Sequence, residues 1–296
     1  MTRSGRSQVP ASVLALAAWL IVPIMDGIAK YLGDFLPVVQ IVWARFFFHF
    51  IWVTPLMLWR HGPTGFITPR PRLQIGRGVF LLCATSCFFT GIRYIPLADA
   101  VAIVFVAPLL VLLFSSIWLR EKIGWLQIAG VVSGLIGVLI IQRPGFEEFH
   151  WASLLMLATA VFFAAFIVST RALAGSAPQL VTLVYQSIMG LVLSSVLVPF
   201  FWVSPTPQHW ILMICIGPIA ATTHLLLIKA HERGEASKLA PIAYSEIIMA
   251  LIIGYFVFGD FPDFWTGIGA SIIITVSFLV TWPGARRRQT ASSGRN

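Results

Sequence analysis

Residues 88–141 read FFTGIRYIPLADAVAIVFVAPLLVLLFSSIWLREKIGWLQIAGVVSGLIGVLII. Two apolar runs, 98–119 and 125–141, are divided by a charged gap that holds Arg120, Glu121 and Lys122. A transmembrane helix needs about 20 mostly apolar residues. The stretch therefore predicts two spanning helices joined by a short polar turn. Pro108 sits inside the first helix, and Gly130, Gly134 and Gly137 recur along the second. Small residues at that spacing let helices approach closely in lipid. They predict a packing face within a bundle, with a homodimer face as the alternative.

Working outward, the same reading gives ten runs: 12–31, 38–59, 78–94, 98–119, 125–141, 152–170, 180–202, 210–229, 239–258 and 264–282. Composition agrees. Of 296 residues, 58% are hydrophobic and 10% are charged, against about 25% charged in an ordinary soluble domain. Mean hydropathy is +0.89. A soluble globule could not give so much apolar surface polar cover. These values exclude a disordered chain, a coiled coil and an ordinary soluble enzyme. The 3 Cys residues do not make a disulfide framework. Cys83 and Cys87, one helical turn apart in an apolar run without His or carboxylate neighbours, are expected to pack rather than to bind metal. The first run holds Asp26 and Lys30 and lacks an A-x-A-type site, so it is expected to be a permanent helix and not a signal peptide.

The formal net charge is +9, but the basic residues lie in short gaps between apolar runs. They point to lipid headgroups rather than to nucleic acid. With the N-terminus inside, all of the 20 Lys and Arg except Lys30, Arg45, Arg93 and Arg143 fall on the inner side. This predicts a multi-pass plasma-membrane (bacterial inner-membrane) protein with both termini cytoplasmic.

The chain also looks doubled. A shift of 139 residues brings Glu121 onto Asp260, Gly130 onto Gly269, and Pro144–Gly145 onto Pro283–Gly284; a shift of 141 brings Lys30 onto Arg171 and Pro37 onto Pro178. Each unit holds five runs, and an odd number forces the second unit to enter from the opposite side. The expected architecture is an all-α membrane protein of ten transmembrane helices in two inverted five-helix repeats, residues 1–145 and 146–284. A basic cytoplasmic tail, 285–296, follows. Paired inverted repeats are the design of many secondary transporters, in which a binding site lies where the halves meet near the midplane.

At this point the chain resembles the drug/metabolite transporter superfamily, and within it the EamA-type permeases. The resemblance rests on residues 88–141, with the mid-helix Pro108, Glu121 after the helix and the Gly-rich helix that follows, and on WARFFF at 43–48, an Arg followed by aromatics. It covers essentially the whole chain as two repeats. The second repeat departs from the first, with Ile247 where Pro108 would fall and Glu246 beside it. The resemblance implies a ten-helix permease with a central cavity. Members move amino acids, nucleotide-like metabolites, vitamins or drugs, inward or outward. The riboflavin importers are a branch similar in length and in the first two helices, so riboflavin uptake is the leading expectation. Export of amino acids or other metabolites is the alternative.

Ionisable groups within a membrane usually face a cavity or a partner. Asp26 lies about 10 Å from one end of the first helix, and Arg45 about 12 Å into the second from the same side. Their depths match, so an Asp26–Arg45 pair is expected, either as a structural lock or as part of a substrate or proton site. An Asp held beside an Arg stays ionised, which favours anchoring over proton carriage. Lys30 and His49 each follow one turn later on the same faces. Glu246, with His224 at similar depth, is the second candidate for substrate contact or coupling. Tyr185 and Gln186, the latter the repeat counterpart of Arg45, are candidates for hydrogen bonds to substrate, or else to neighbouring helices. Trp43, Phe46, Phe47, Phe48 and Trp52 surround Arg45. Trp43 in particular could stack on a planar substrate ring, although aromatics also face lipid. Glu121 and Asp260 are read as helix-end and gate contacts.

The expected substrate-binding set is thus Arg45, His49, Trp43, Tyr185, Gln186 and Glu246. The expected coupling or ion-pair set is Asp26, Lys30, His224 and Glu246. No catalytic residue, metal site or cofactor is expected: the chain has no P-loop, no G-x-S-x-G and no H-E-x-x-H. The predicted activity is secondary transport of a small molecule by alternating access, in a monomer or homodimer that contacts lipid and no nucleic acid. An intramembrane enzyme or lipid-handling protein is the rival class.

Overall fold

The computed structural model describes residues 9–94, 97–142 and 151–259, with isolated positions between 264 and 275. The described residues form helices and turns. The helices are α1 Ala11–Gly33, α2 Val38–His61, α3 Pro71–Gly91, α4 Leu97–Val104, α5 Ala107–Trp118, α6 Trp125–Gln142, α7 Ala152–Ala172, α8 Gln179–Leu197, α9 Pro207–Arg233, α10 Ala236–Leu239 and α11 Glu246–Ile253. Seven segments among the described residues are long and apolar enough to cross a membrane. The shorter apolar helices 107–118 and 127–137 accompany them.

Proline marks the starts. Pro10 and Pro37 precede α1 and α2, Pro178 precedes α8, and α3 and α9 begin on Pro71 and Pro207. A missing N–H costs nothing where the first turn has no partner for it. At the other end of α2, Gly62 takes φ +63°, a left-handed conformation open to Gly, and its N–H returns to the Leu58 carbonyl.

Two expected runs are not single helices. Run 98–119 is broken into α4 and α5 just before Pro108. Proline cannot donate to the carbonyl four residues back, and its ring crowds it. Run 239–258 starts earlier, at Ala236, and is divided into α10, a 3₁₀ segment Ala240–Ser245 containing Pro241, α11, and a wide π-type turn Gly254–Phe258. The two breaks meet. The Tyr244 hydroxyl donates to the Phe105 carbonyl at 3.2 Å. The Tyr244 ring lies so close to Gly134 of α6 that a Cβ there would fall 2.3 Å from it. Gly134 of α6 thus serves contact within the bundle. Asp260, most of run 264–282, the Pro-Gly stops and the 285–296 tail lie outside the described residues.

The helices before residue 143 pack mainly on those after 150. The broadest pairings are α1 with α9, α3 with α7, and α2 with α8 and α9. α2 and α9 touch backbone to backbone: a Cβ on Gly217 would stand 2.4 Å from the carbonyl carbon of Phe48 and 2.5 Å from the His49 nitrogen. Two turns beyond Gly217 comes His224, and one turn before His49 comes Arg45. This close crossing sets these two side chains against each other.

Candidate functional site

A cavity of about 80 Å³ lies between the two parts of the chain. Helices α1, α2, α3 and α4 line it from the first part, and α7, α9 and α11 from the second. Its walls are mostly apolar, with Trp19, Phe88, Phe89 and Phe163 set among aliphatic side chains. Its ionisable groups are Asp26, Arg45, His224 and Glu246.

Arg45 is held from two sides. Its Nη1 donates to Thr85 Oγ1, and its Nη2 lies 3.1 Å from His224 Nε2. A guanidinium has no acceptor, so His224 accepts at Nε2. The imidazole is therefore neutral and carries its proton on Nδ1. The guanidinium carbon lies 5.4 and 5.9 Å from the ring centres of Phe46 and Phe89. The direct ion pair expected between Asp26 and Arg45 is not the contact made. Among the described residues the ion pairs are Arg171–Glu121 and Lys238–Glu235. Neither Asp26 nor Glu246 takes part in one. Two carboxylates without a direct ion pair and one guanidinium therefore share one small, mostly apolar space. A second cavity of about 40 Å³ continues from it, sharing Trp19, Val104, Phe163 and Glu246 and running between α5 and the α10–3₁₀ segment.

The remaining sequence candidates sit elsewhere. His49 is buried one layer behind the cavity, its ring 6.2 Å from that of His224 and its Nε2 without a protein partner. Trp43 donates to Ser195 Oγ at 3.1 Å and stacks on Phe47 at 4.5 Å, inside the α2–α8 contact. Tyr185 donates to the Phe66 carbonyl in the turn after α2. Gln186 is fully buried with both amide atoms unpartnered. Among the described residues no α8 side chain lines either cavity, because α8 packs against the far sides of α2 and α3. Lys30 is half-buried, its Nζ 5.3 Å from the centre of the Phe258 ring.

Sequence reasoning missed Thr85, Thr223, Trp19 and Phe163 as lining residues. A Thr in an apolar helix signals polarity only faintly, and nothing local marks which aromatics face inward. It also misread Arg77, counted as a loop charge. Arg77 is fully buried within α3. It donates to Thr170 Oγ1 at 2.7 Å and lies over the Phe166 ring at 4.5 Å.

A family model described as the EamA-like transporter family matches residues 9–143 and again residues 150–282. The chain belongs to the EamA-like transporter family. It is accordingly a transporter and not an enzyme, and an integral multi-pass membrane protein. Among similar proteins is an S-adenosylmethionine uptake transporter of Rickettsia bellii, 29% identical over 257 residues, covering 87% of this chain and 88% of that one. A riboflavin transporter of Vibrio cholerae is 28% identical over 197 residues, 66% of each chain. A pseudopaline exporter of Pseudomonas aeruginosa is 26% identical over 278 residues, 91% of this chain and 95% of that one. A solved crystal structure superposes with a TM-score of 0.75 at 20% identity, covering 94% of this chain and 96% of the other. It supports the fold alone. In this EamA-like transporter both matched segments contribute to the central cavity: Asp26 and Arg45 come from the first, His224 and Glu246 from the second.

Proposed function

We propose that the chain is an importer of a small amphoteric metabolite, with S-adenosylmethionine the leading substrate. It works by alternating access between two inverted five-helix halves, 1–145 and 146–284, in the bacterial inner membrane with both termini cytoplasmic. One observation carries the reading: Asp26, Glu246 and Arg45 line one mostly apolar cavity with four aromatic side chains and form no direct ion pair with one another. A substrate that bears one carboxylate and one or two cationic centres fits that charge pattern. Arg45 would take the carboxylate, while Asp26 and Glu246 would take an ammonium and a sulfonium. The rings of Trp19, Phe88, Phe89 and Phe163 suit a cationic centre and a planar base. The name of the Rickettsia relative supports the same class.

Riboflavin is the second reading. The aromatic wall and the Vibrio relative favour it, but a neutral flavin leaves two carboxylates without a partner in a low-dielectric site.

Uptake of labelled S-adenosylmethionine by cells expressing the chain tests the proposal. Saturable uptake is expected, competed by unlabelled S-adenosylmethionine and weakly by riboflavin. Growth rescue of a riboflavin-requiring strain at low vitamin concentration, without such uptake, would transfer the assignment to the flavin.

A further inference from the structure

The chain after α5 makes an unusual turn. Arg120 adopts φ +53°, the sole positive φ at a non-glycine position among the described residues. That conformation is disfavoured for any side chain with a Cβ, and it is kept where surrounding contacts require it. The turn is closed by two bonds onto one carbonyl, from the Leu119 and Glu121 N–H groups to Ser115, at 3.1 and 3.2 Å. Its effect is to aim Glu121 back into the bundle, where the side chain is 8% exposed.

There Glu121 gathers donors from two other elements. Arg171, in the last turn of α7, donates from Nε to Oε1 at 3.2 Å. At the start of α10, the Ser237 N–H and hydroxyl donate to Oε2 at 3.1 and 3.0 Å, and the Ala236 N–H lies 3.4 Å from Oε1. Arg171 also donates from Nη1 to the His231 carbonyl at 2.8 Å, tying in the end of α9. The carboxylate thus bolts the end of α5 to α7 and α10, and its partner Arg171 adds α9. By the charge distribution this is the cytoplasmic end.

Two features give that bolt a consequence for the transport site. From Ser237 the chain runs through α10 and the 3₁₀ segment straight into Glu246, without a flexible loop. The second cavity lies directly behind the bolt, lined by Ala236, Leu239, Ala240, Ala243 and Glu246. Releasing Ser237 would free the segment that carries Glu246 and open that cavity toward the Glu121 end.

We propose that Glu121 is a positioning residue: it fixes Glu246 in the central cavity by holding the start of α10, and its release opens the gate at its own end of the bundle. The proposal rests on the reading of the central cavity as the transport site, but its test needs no substrate. Cys83, Cys87 and Cys215 are first replaced by Ser, and Ala243→Cys then reports on the second cavity. Reaction with a membrane-impermeant maleimide is followed in right-side-out and inside-out vesicles. With Glu121 present, labelling is slow from both faces. Glu121→Gln raises the rate at least tenfold from the Glu121 face and leaves the other face unchanged. Arg171→Gln removes the ion pair and the bond to the His231 carbonyl, and Ser237→Ala removes one hydroxyl bond. Each produces a smaller rise from the same face, which keeps the proposal testable if Glu121→Gln does not accumulate. Unchanged labelling in these variants, or an equal rise from both faces, overturns it. One-sided labelling in a protein that moves neither proposed substrate would retain the gate and discard the substrate assignment.

Discussion

At the scale of single residues, Arg45 is the hinge of the site. Its two hydrogen bonds, to Thr85 and His224, use the planar fork of the guanidinium, which a lysine cannot reproduce. Charged hydrogen bonds contribute about 2 kcal/mol each, so Arg45→Lys is expected to lower uptake about 30-fold at normal expression, measured as initial rate. Arg45→Ala is expected to abolish it. A charge exchange, Asp26→Arg with Arg45→Asp, should transport no better than either single variant, because the native residues do not pair directly. Recovery of uptake in the double variant would contradict the geometry. The four ionisable cavity residues were legible in the sequence, since Asp, Arg, His and Glu are conspicuous in apolar helices. Their partners were not. Matched depth along two helices said nothing about rotation, and rotation sends Arg45 to Thr85 and His224 rather than to Asp26. The same ignorance of rotation admitted Trp43, Tyr185 and Gln186 to the expected site and kept out Thr85 and Trp19.

At the scale of elements, the controlling feature is the α2–α9 crossing at Gly217. Any side chain there meets backbone atoms of Phe48 and His49, and backbone cannot swing aside as a flexible side chain can. Gly217→Ala is expected to cost about 2 kcal/mol by overpacking and to separate His224 from Arg45. Thermal melting in detergent and initial uptake should fall together. Gly217→Ala with native melting and native uptake would count against the crossing. Of the ten expected runs, seven coincide with segments long and apolar enough to span among the described residues, because lipid demands such runs. Pro108 and Pro241 were visible in the sequence, yet hydropathy alone does not register that a proline has divided a run. The break became clear only where Tyr244 reaches the Phe105 carbonyl.

At the scale of the whole molecule, both ends are tied across the two parts of the chain. At one end Glu121 and Arg171 join the end of α5 to α7, α9 and α10. At the other, Gln40 on α2 exchanges two hydrogen bonds with the Val203 backbone, at 2.9 and 3.0 Å, and Phe35 stacks near His209 at 4.8 Å. The cavity between them, about 80 Å³, has room for a few waters and is well below the about 300–1,000 Å³ of ordinary ligand pockets. A cavity of that size leaves no room for an amphoteric metabolite, so binding one requires the bundle to widen from this conformation. Gln40→Ala should loosen the end opposite Glu121, so that Ala220→Cys in the central cavity reacts faster with impermeant maleimide from that face alone.

The most direct test of the account is counterflow of S-adenosylmethionine in proteoliposomes of the purified chain. Vesicles loaded with unlabelled compound should transiently accumulate external label above equilibrium, and Arg45→Ala protein of native melting temperature should show no overshoot. Absence of any overshoot with folded native protein, or an equal overshoot in the Arg45→Ala variant, would contradict a carrier that recognises an amphoteric substrate in this cavity.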